Sequence, residues 1–279
     1  MRFGFKSYTG GLALFLCTAG LCAQQASLAE DPQVLAREVV RNELQAQQED
    51  QARWIYVSRE QQPGGDHIKE VIETKEGALS CIISEDQHPL TSQQQRRQDQ
   101  HLQQLIRNPS ELKRQKLEQE RDKQKEQQLL AMMPDGFLFE YERNEGRNIS
   151  LSFRPNPRFH PPTREAEVFH AMQGTMIVDS ATKRLKELRG RLVRDVVFGW
   201  GILGRLESGG IFDVRQGEVA PSHWELTFID VHITGKALFF KTIGEQQHEQ
   251  RSDFQEAPGN LTPAQAVEML KECLQRSSK

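Results

Sequence analysis

Apolar and polar positions alternate with different periods along this chain, and each change of period marks an element. Gly11 to Leu21 is an apolar stretch behind the basic residues Arg2 and Lys6. From Asp31 to about Asp50, Val34, Leu35, Val39 and Leu44 recur near helical spacing and Pro32 suits a first turn, which predicts a helix lying on a sheet by its apolar face. The period then shortens. Trp54 to Val57, Ile68 to Thr74 and Leu79 to Ser84 read as β-strands, and the turn residues Pro63, Gly64 and Gly65 predict an antiparallel meander.

Residues 91–133 break this pattern. Glutamine and alternating charge dominate, with only Leu102, Leu105, Leu112, Leu117, Leu129 and Leu130 scattered among them, which predicts a long, mostly solvated helical insertion. Asn108 followed by Pro109 and Glu111 marks a helix start inside it, with Asn108 as the cap and Glu111 able to reach back.

After Pro134 the period is two. Phe137, Phe139 and Tyr141 share one side of a strand, Ile149, Leu151 and Phe153 share one side of the next, and Asn144, Glu145 and Gly146 make the turn between them. Pro155, Pro157, Pro161 and Pro162 then demand a loop, because proline removes ladder donors. Further strands are expected at Met172 to Val178, Arg184 to Phe198, Trp200 to Leu206, Ile211 to Val214, Trp224 to Thr234 and Ala237 to Ile243. The turns between them fall at Asp179 to Thr182, Gly209-Gly210 and Gly235. Helical spacing also fits Leu185, Leu188, Leu192 and Val196, but Gly190 and the β-branched run beyond it favour a strand. Thr262 and Pro263 open a last helix through about Leu274, carrying Ala266, Met269, Leu270, Cys273 and Leu274 on its apolar face.

The order of elements predicts an α+β fold: a large curved antiparallel sheet, an incomplete barrel, wrapped around or packed on helices, with a charged helical insertion. Residues 1–23 combine a basic start, a short apolar stretch and a small residue at Ala23, the pattern of a cleavable export signal; 24–279 then form a single domain. Export places the mature chain in the periplasm or outside the cell, with a Gram-negative source expected. Removing Arg2 and Lys6 leaves 34 basic against 39 acidic side chains, a net charge of −5. That balance argues against a nucleic-acid partner, which needs a basic surface. No later segment has the 18 or so consecutive apolar residues of a membrane helix. Cys17 and Cys22 leave with the signal, so Cys81 and Cys273 form a lone pair, either bridged in an oxidising compartment or two separate thiols.

Motifs for catalysis are missing. The chain has no Gly-x-Ser-x-Gly elbow, no phosphate-binding Gly-x-x-x-x-Gly-Lys loop, no dinucleotide fingerprint and no His-Glu-x-x-His pair. His160, His170 and Asp179 can be grouped only without a ligand spacing. The expectation is a non-enzyme with no metal and no cofactor.

The stretch Gly174-Thr-Met-Ile-Val-Asp179-Ser-Ala-Thr182-Lys-Arg-Leu185, with the Trp224 strand and Asp230-Val-His-Ile-Thr-Gly235-Lys-Ala-Leu-Phe-Phe-Lys241, resembles the periplasmic lipoprotein-carrier superfamily of LolA, LolB and RseB, over about residues 136–243. The resemblance implies an incomplete barrel whose hollow accepts acyl chains or an apolar peptide, and brings no catalytic residues. Phe137, Phe139, Phe153, Met172, Met176, Trp224, Phe228, Phe239 and Phe240 are the residues expected to line an apolar concavity for a lipid or lipoprotein acyl chain. The alternative is a structural or regulatory envelope protein that engages a protein partner through the charged helix 91–133.

Overall fold

The computed structural model describes residues 30–62, 64–198, 204–237 and 246–276. The expected export signal, the strand residues Trp200 to Leu203 and Leu238 to Ile243, and with them Phe239 and Phe240, lie outside the described residues.

Helix α1 (Pro32–Glu49) starts where the sequence pattern places it: Asp31 caps it by accepting the Gln33 N–H, and Pro32 occupies the first turn. Strands β1 (Trp54–Gln62), β2 (Gly65–Thr74) and β3 (Gly77–Glu85) form the expected meander, followed by the short β4 (His88–Pro89). The Gln-rich segment is two helices, α2 (Ser92–Arg107) and α3 (Pro109–Gly136). A capping box between Thr91 and Gln94 starts α2. Asn108 stands at the α3 cap position, but its side chain makes no cap bond and instead accepts the Ser110 hydroxyl. Glu111 bonds Arg114 and Gln115 rather than reaching back. Pro134, expected to follow the helix, lies inside its last turn.

The hairpin β5 (Phe137–Glu145) and β6 (Asn148–Pro155) leads through a 3-10 helix (Glu165–His170) to β7 (Met172–Asp179) and β8 (Leu185–Leu192). The expected long strand to Phe198 divides here: Val196–Phe198 is a separate strand, β9, joined to β10 (Gly204–Leu206) in a small second sheet. Strands β11 (Ile211–Ala220) and β12 (His223–His232) follow, then β13 (Gly235–Ala237), which pairs with β10. Strand β14 (Gln246–Glu256) and helix α4 (Pro263–Arg276) complete the described chain.

The main sheet is eleven-stranded, antiparallel, curved and open, in the order β4-β3-β2-β1-β14-β12-β11-β8-β7-β6-β5. The insertion α2–α3 joins its two edges, leaving from β4 and arriving at β5. Ten strand spacings amount to about 48 Å, and a 28-residue helix such as α3 spans about 42 Å. The polar segment must be long because it crosses the molecule.

Strand β14 sits near the middle of this sheet although its sequence, QQHEQRSDFQE, is almost wholly polar. No apolar alternation announces it. It pairs with β1 on one side and β12 on the other, closing the gap between the N-terminal meander and the rest.

Pairing register defines two faces. On one, a row runs from Leu151 through Met176, Leu188, Val214 and Ile229 to Glu249 and Glu60, with Phe139 and Phe153 on the neighbouring row of the same face; α1 packs on its apolar half through Leu35, Ala36, Val39 and Val40. Ile55, Ile72, Leu79 and Cys81 lie on the opposite face, where α4 buries Ala266, Val267, Leu270 and Leu274 against them.

Candidate functional site

The expected apolar concavity is dispersed by the fold. Phe137, Phe139, Phe153 and Met176 are buried in one core with α1, Met133 and the 3-10 helix. The Phe137 ring lies 4.8 Å from that of Phe153 and 4.9 Å from that of Phe169, centroid to centroid. Met172 is half-buried at the margin of this core. The protein's own side chains fill the space assigned to a ligand. Trp224 and Phe228 lie elsewhere: the Arg184 guanidinium covers Trp224, and Phe228 sits between Arg215 and His248. The sequence could not show that residues 165–170 would cover these aromatics, because Glu165-Ala-Glu-Val-Phe-His170 carries no helical repeat long enough to read.

Toward β14, β1 and β2 the same face becomes charged. Glu249 is buried and accepts from Arg251 at 2.6 Å and from Ser58 at 2.9 Å, while Lys69 holds Glu60 at 2.5 Å. Beyond this stripe, Trp54 donates its backbone N–H to Glu73 at 3.0 Å. The buried Trp54 indole N–H lies beside the Glu225 carboxylate without reaching hydrogen-bond geometry. Burial pushes Glu225 up to about 7, and the nearby Glu73 adds to the rise against the opposing Arg251. Glu73 of β2 is raised, chiefly by burial. Tyr56 is pushed up to about 12 for the same reason. Between Leu112 and Met133, α3 buries no side chain fully, and it reaches this region with charges such as Lys123 and Glu126.

Cys81 and Cys273 meet where α4 crosses β3. No disulfide joins them: Cys81 is buried and donates to the Leu270 carbonyl at 3.7 Å, and Cys273 is half-buried beside Glu70. Burial raises both thiols, Cys273 to about 12. Of the loosely grouped His160, His170 and Asp179, only Asp179 is locked in place. Burial would push its carboxyl up, but hydrogen bonds from Thr182, Arg147 and Ala181 win and hold it at about 2. It organises the β7–β8 turn. Among the described residues no three His, Cys, Asp or Glu side chains are grouped to hold a metal ion.

An open hollow of about 680 Å³ lies on the face opposite α1, over β5, β6, β7, β8, β11 and β12. Its floor is backbone. Gly174 and Gly190 pair across β7 and β8, where a Cβ on Gly174 would stand 1.9 Å from the Arg189 carbonyl oxygen and one on Gly190 2.3 Å from that of Gln173. Two parallel rows of side chains stand on this floor. The first is Leu138, Arg154, Gln173, Arg191 and Ile211; the second is Glu140, Ser152, Thr175, Arg189, Asp213 and Asp230. Ser152 donates to the Glu140 carbonyl and Thr175 to the Glu142 carboxylate, so neither hydroxyl is aimed by a histidine. Sequence reading missed this site because it weighed inward aromatics, and these residues belong to the outward half of the same strands.

No protein-family model, no curated protein and no solved structure matches this chain.

Proposed function

We propose that this chain is an exported, non-enzymatic binding protein with a carrier-like sheet, and that its ligand is amphipathic and lies in the hollow over β5–β8, β11 and β12. The observation that carries the reading is the hollow itself. Its volume of about 680 Å³ falls within the range of small-ligand sites, and it combines the apolar Leu138 and Ile211 with a charged rim. Ile211 is 48% exposed, an apolar side chain left to solvent among mostly polar and charged neighbours. The ligand therefore differs in place from the one expected inside the aromatic core. Native mass spectrometry of gently purified protein, with uptake of a fluorescent fatty-acid probe, tests the proposal. Probe binding that weakens in Ile211→Asp supports it; a ligand-free protein that takes up no probe overturns it.

A second reading rests on α3, whose stretch 113–128 contributes no fully buried side chain and leaves Leu117 46% exposed. Here α3 is a docking helix for an envelope protein. Deleting it would remove Leu112 and Met133 from the core, so the test is a photo-crosslinker at position 117 in the native compartment. Recurrent capture of one partner, lost on charge reversal of Lys113 and Arg114, supports it; no adduct removes it.

A further inference from the structure

We infer that the hollow selects ligands with an anionic head, a carboxylate or phosphate on an apolar chain, because the unmatched Arg191 guanidinium stands directly opposite the exposed Ile211 on the carboxylate-free row. This rests on the carrier reading and names the class of ligand. The register places Arg191 against Gln173 on β7 and against Ile211 on β11, and Leu138 against Arg154 on the β5–β6 ladder. The row thus offers two guanidiniums, a neutral amide between them and an apolar residue at each end. Two strand spacings separate Arg154 from Arg191, about 10 Å between backbones, a gap that two Arg side chains converging on one anion can close.

Partner accounting gives the sign. In the second row Glu140 is answered by Arg154 and Asp213 by Arg215, while Asp230, on β12 two strands from Arg191, is held by His232 and His248, which add positive charge only when protonated. Arg189 pairs with Glu187. Glu142 accepts from the Thr175 hydroxyl at 3.2 Å and stands at the far corner on β5, three strands from Arg191. That separation exceeds the screening length of about 8 Å at physiological salt. Arg191 alone among the cations of the hollow has no carboxylate partner within the described residues, and it is exposed. The Arg154–Glu140 pair, with side chains 57% and 66% exposed, is of the weak surface kind that an incoming anion can displace.

The experiment compares dodecanoate, dodecan-1-ol and dodecylamine, three ligands with one chain length, by calorimetry below their aggregation concentrations. Dodecanoate should bind about 10-fold tighter than the alcohol, the usual scale of one charge-assisted contact, and the amine should bind weakest. Arg191→Ala should bring dodecanoate down to the level of the alcohol and leave the alcohol unchanged, whereas Ile211→Ser should weaken all three alike. Equal binding of the three, preference for the amine, or a dodecanoate affinity indifferent to Arg191→Ala overturns the inference while the carrier reading stands. Binding of none of the three removes both. Arg191 is exposed and holds no core contact, so the variant tests the head group rather than the fold.

Discussion

The Glu43 carboxylate of α1 holds the Arg184 guanidinium at the start of β8 through contacts of 2.8 and 3.1 Å, with side chains only 3% and 12% exposed. The same carboxylate accepts the Leu185 backbone N–H at 2.7 Å and the Gln216 amide at 2.8 Å, so every oxygen is satisfied and α1 is keyed to β8 and β11 at one point. An apolar helix face can slide over a sheet. This contact sets where it stops.

Removing one member of that pair strands the other in a dry setting. Glu43→Ala should cost about 3–5 kcal/mol, read by urea denaturation, whereas Glu43→Met with Arg184→Met should recover much of the loss. A single variant with wild-type stability would show that the contact does not position α1.

Glu225 predicts an unusual pH dependence. Its folded pKa of about 7 lies above the ordinary 4.5, so the folded state binds the proton more tightly than the unfolded chain. The contribution is fully present below about pH 4.5 and disappears as pH rises through about 7, a loss on the order of 2–3 kcal/mol. Glu225→Gln should flatten that limb between pH 5 and 8. An unchanged slope would place the titration elsewhere. Asp179 acts with the opposite sign: its pKa of about 2 means that its stabilisation is present above about pH 4 and is lost on further acidification.

The glycine pair beneath the hollow makes a sharp comparison. Gly190→Ala would place a methyl 2.3 Å from the Gln173 carbonyl oxygen and 2.7 Å from the Phe212 ring, and a loss of about 2–4 kcal/mol is expected from overpacking together with backbone displacement. Gly217→Ala, where the nearest atom is a Thr227 methyl at 3.7 Å, should be tolerated within about 0.5 kcal/mol. Equal melting temperatures for the two would contradict the close approach of β7 and β8.

The two thiols should be sluggish. With Cys81 buried and Cys273 raised to about 12, little thiolate exists at pH 8. Iodoacetamide should label neither in the native protein within minutes and both in urea, with Cys273 modified first on longer exposure. Rapid native labelling of Cys81, followed by mass spectrometry, would refute the burial of β3 under α4.

Periodicity determined much of this protein by itself. The helix starts marked by Pro32 and by Thr262 with Pro263, the helical spacing of Val39 and Ala266, and the alternation through Phe137–Tyr141 and Ile149–Phe153 are local properties, and the corresponding helices and hairpin stand where they predict. Tertiary structure alone decided three things. Strand β14 exists because β1 and β12 offer ladders to a polar segment and because Arg251, Ser58 and Gln247 satisfy Glu249 once it is buried; no periodicity encodes a partner on another strand. The inward aromatics became core because α1 and residues 165–170 cover them, and coverage is a long-range fact. Arg191 and Ile211, inconspicuous in sequence, became neighbours only through the β8–β11 register, since residues twenty apart meet only where backbone hydrogen bonds align them.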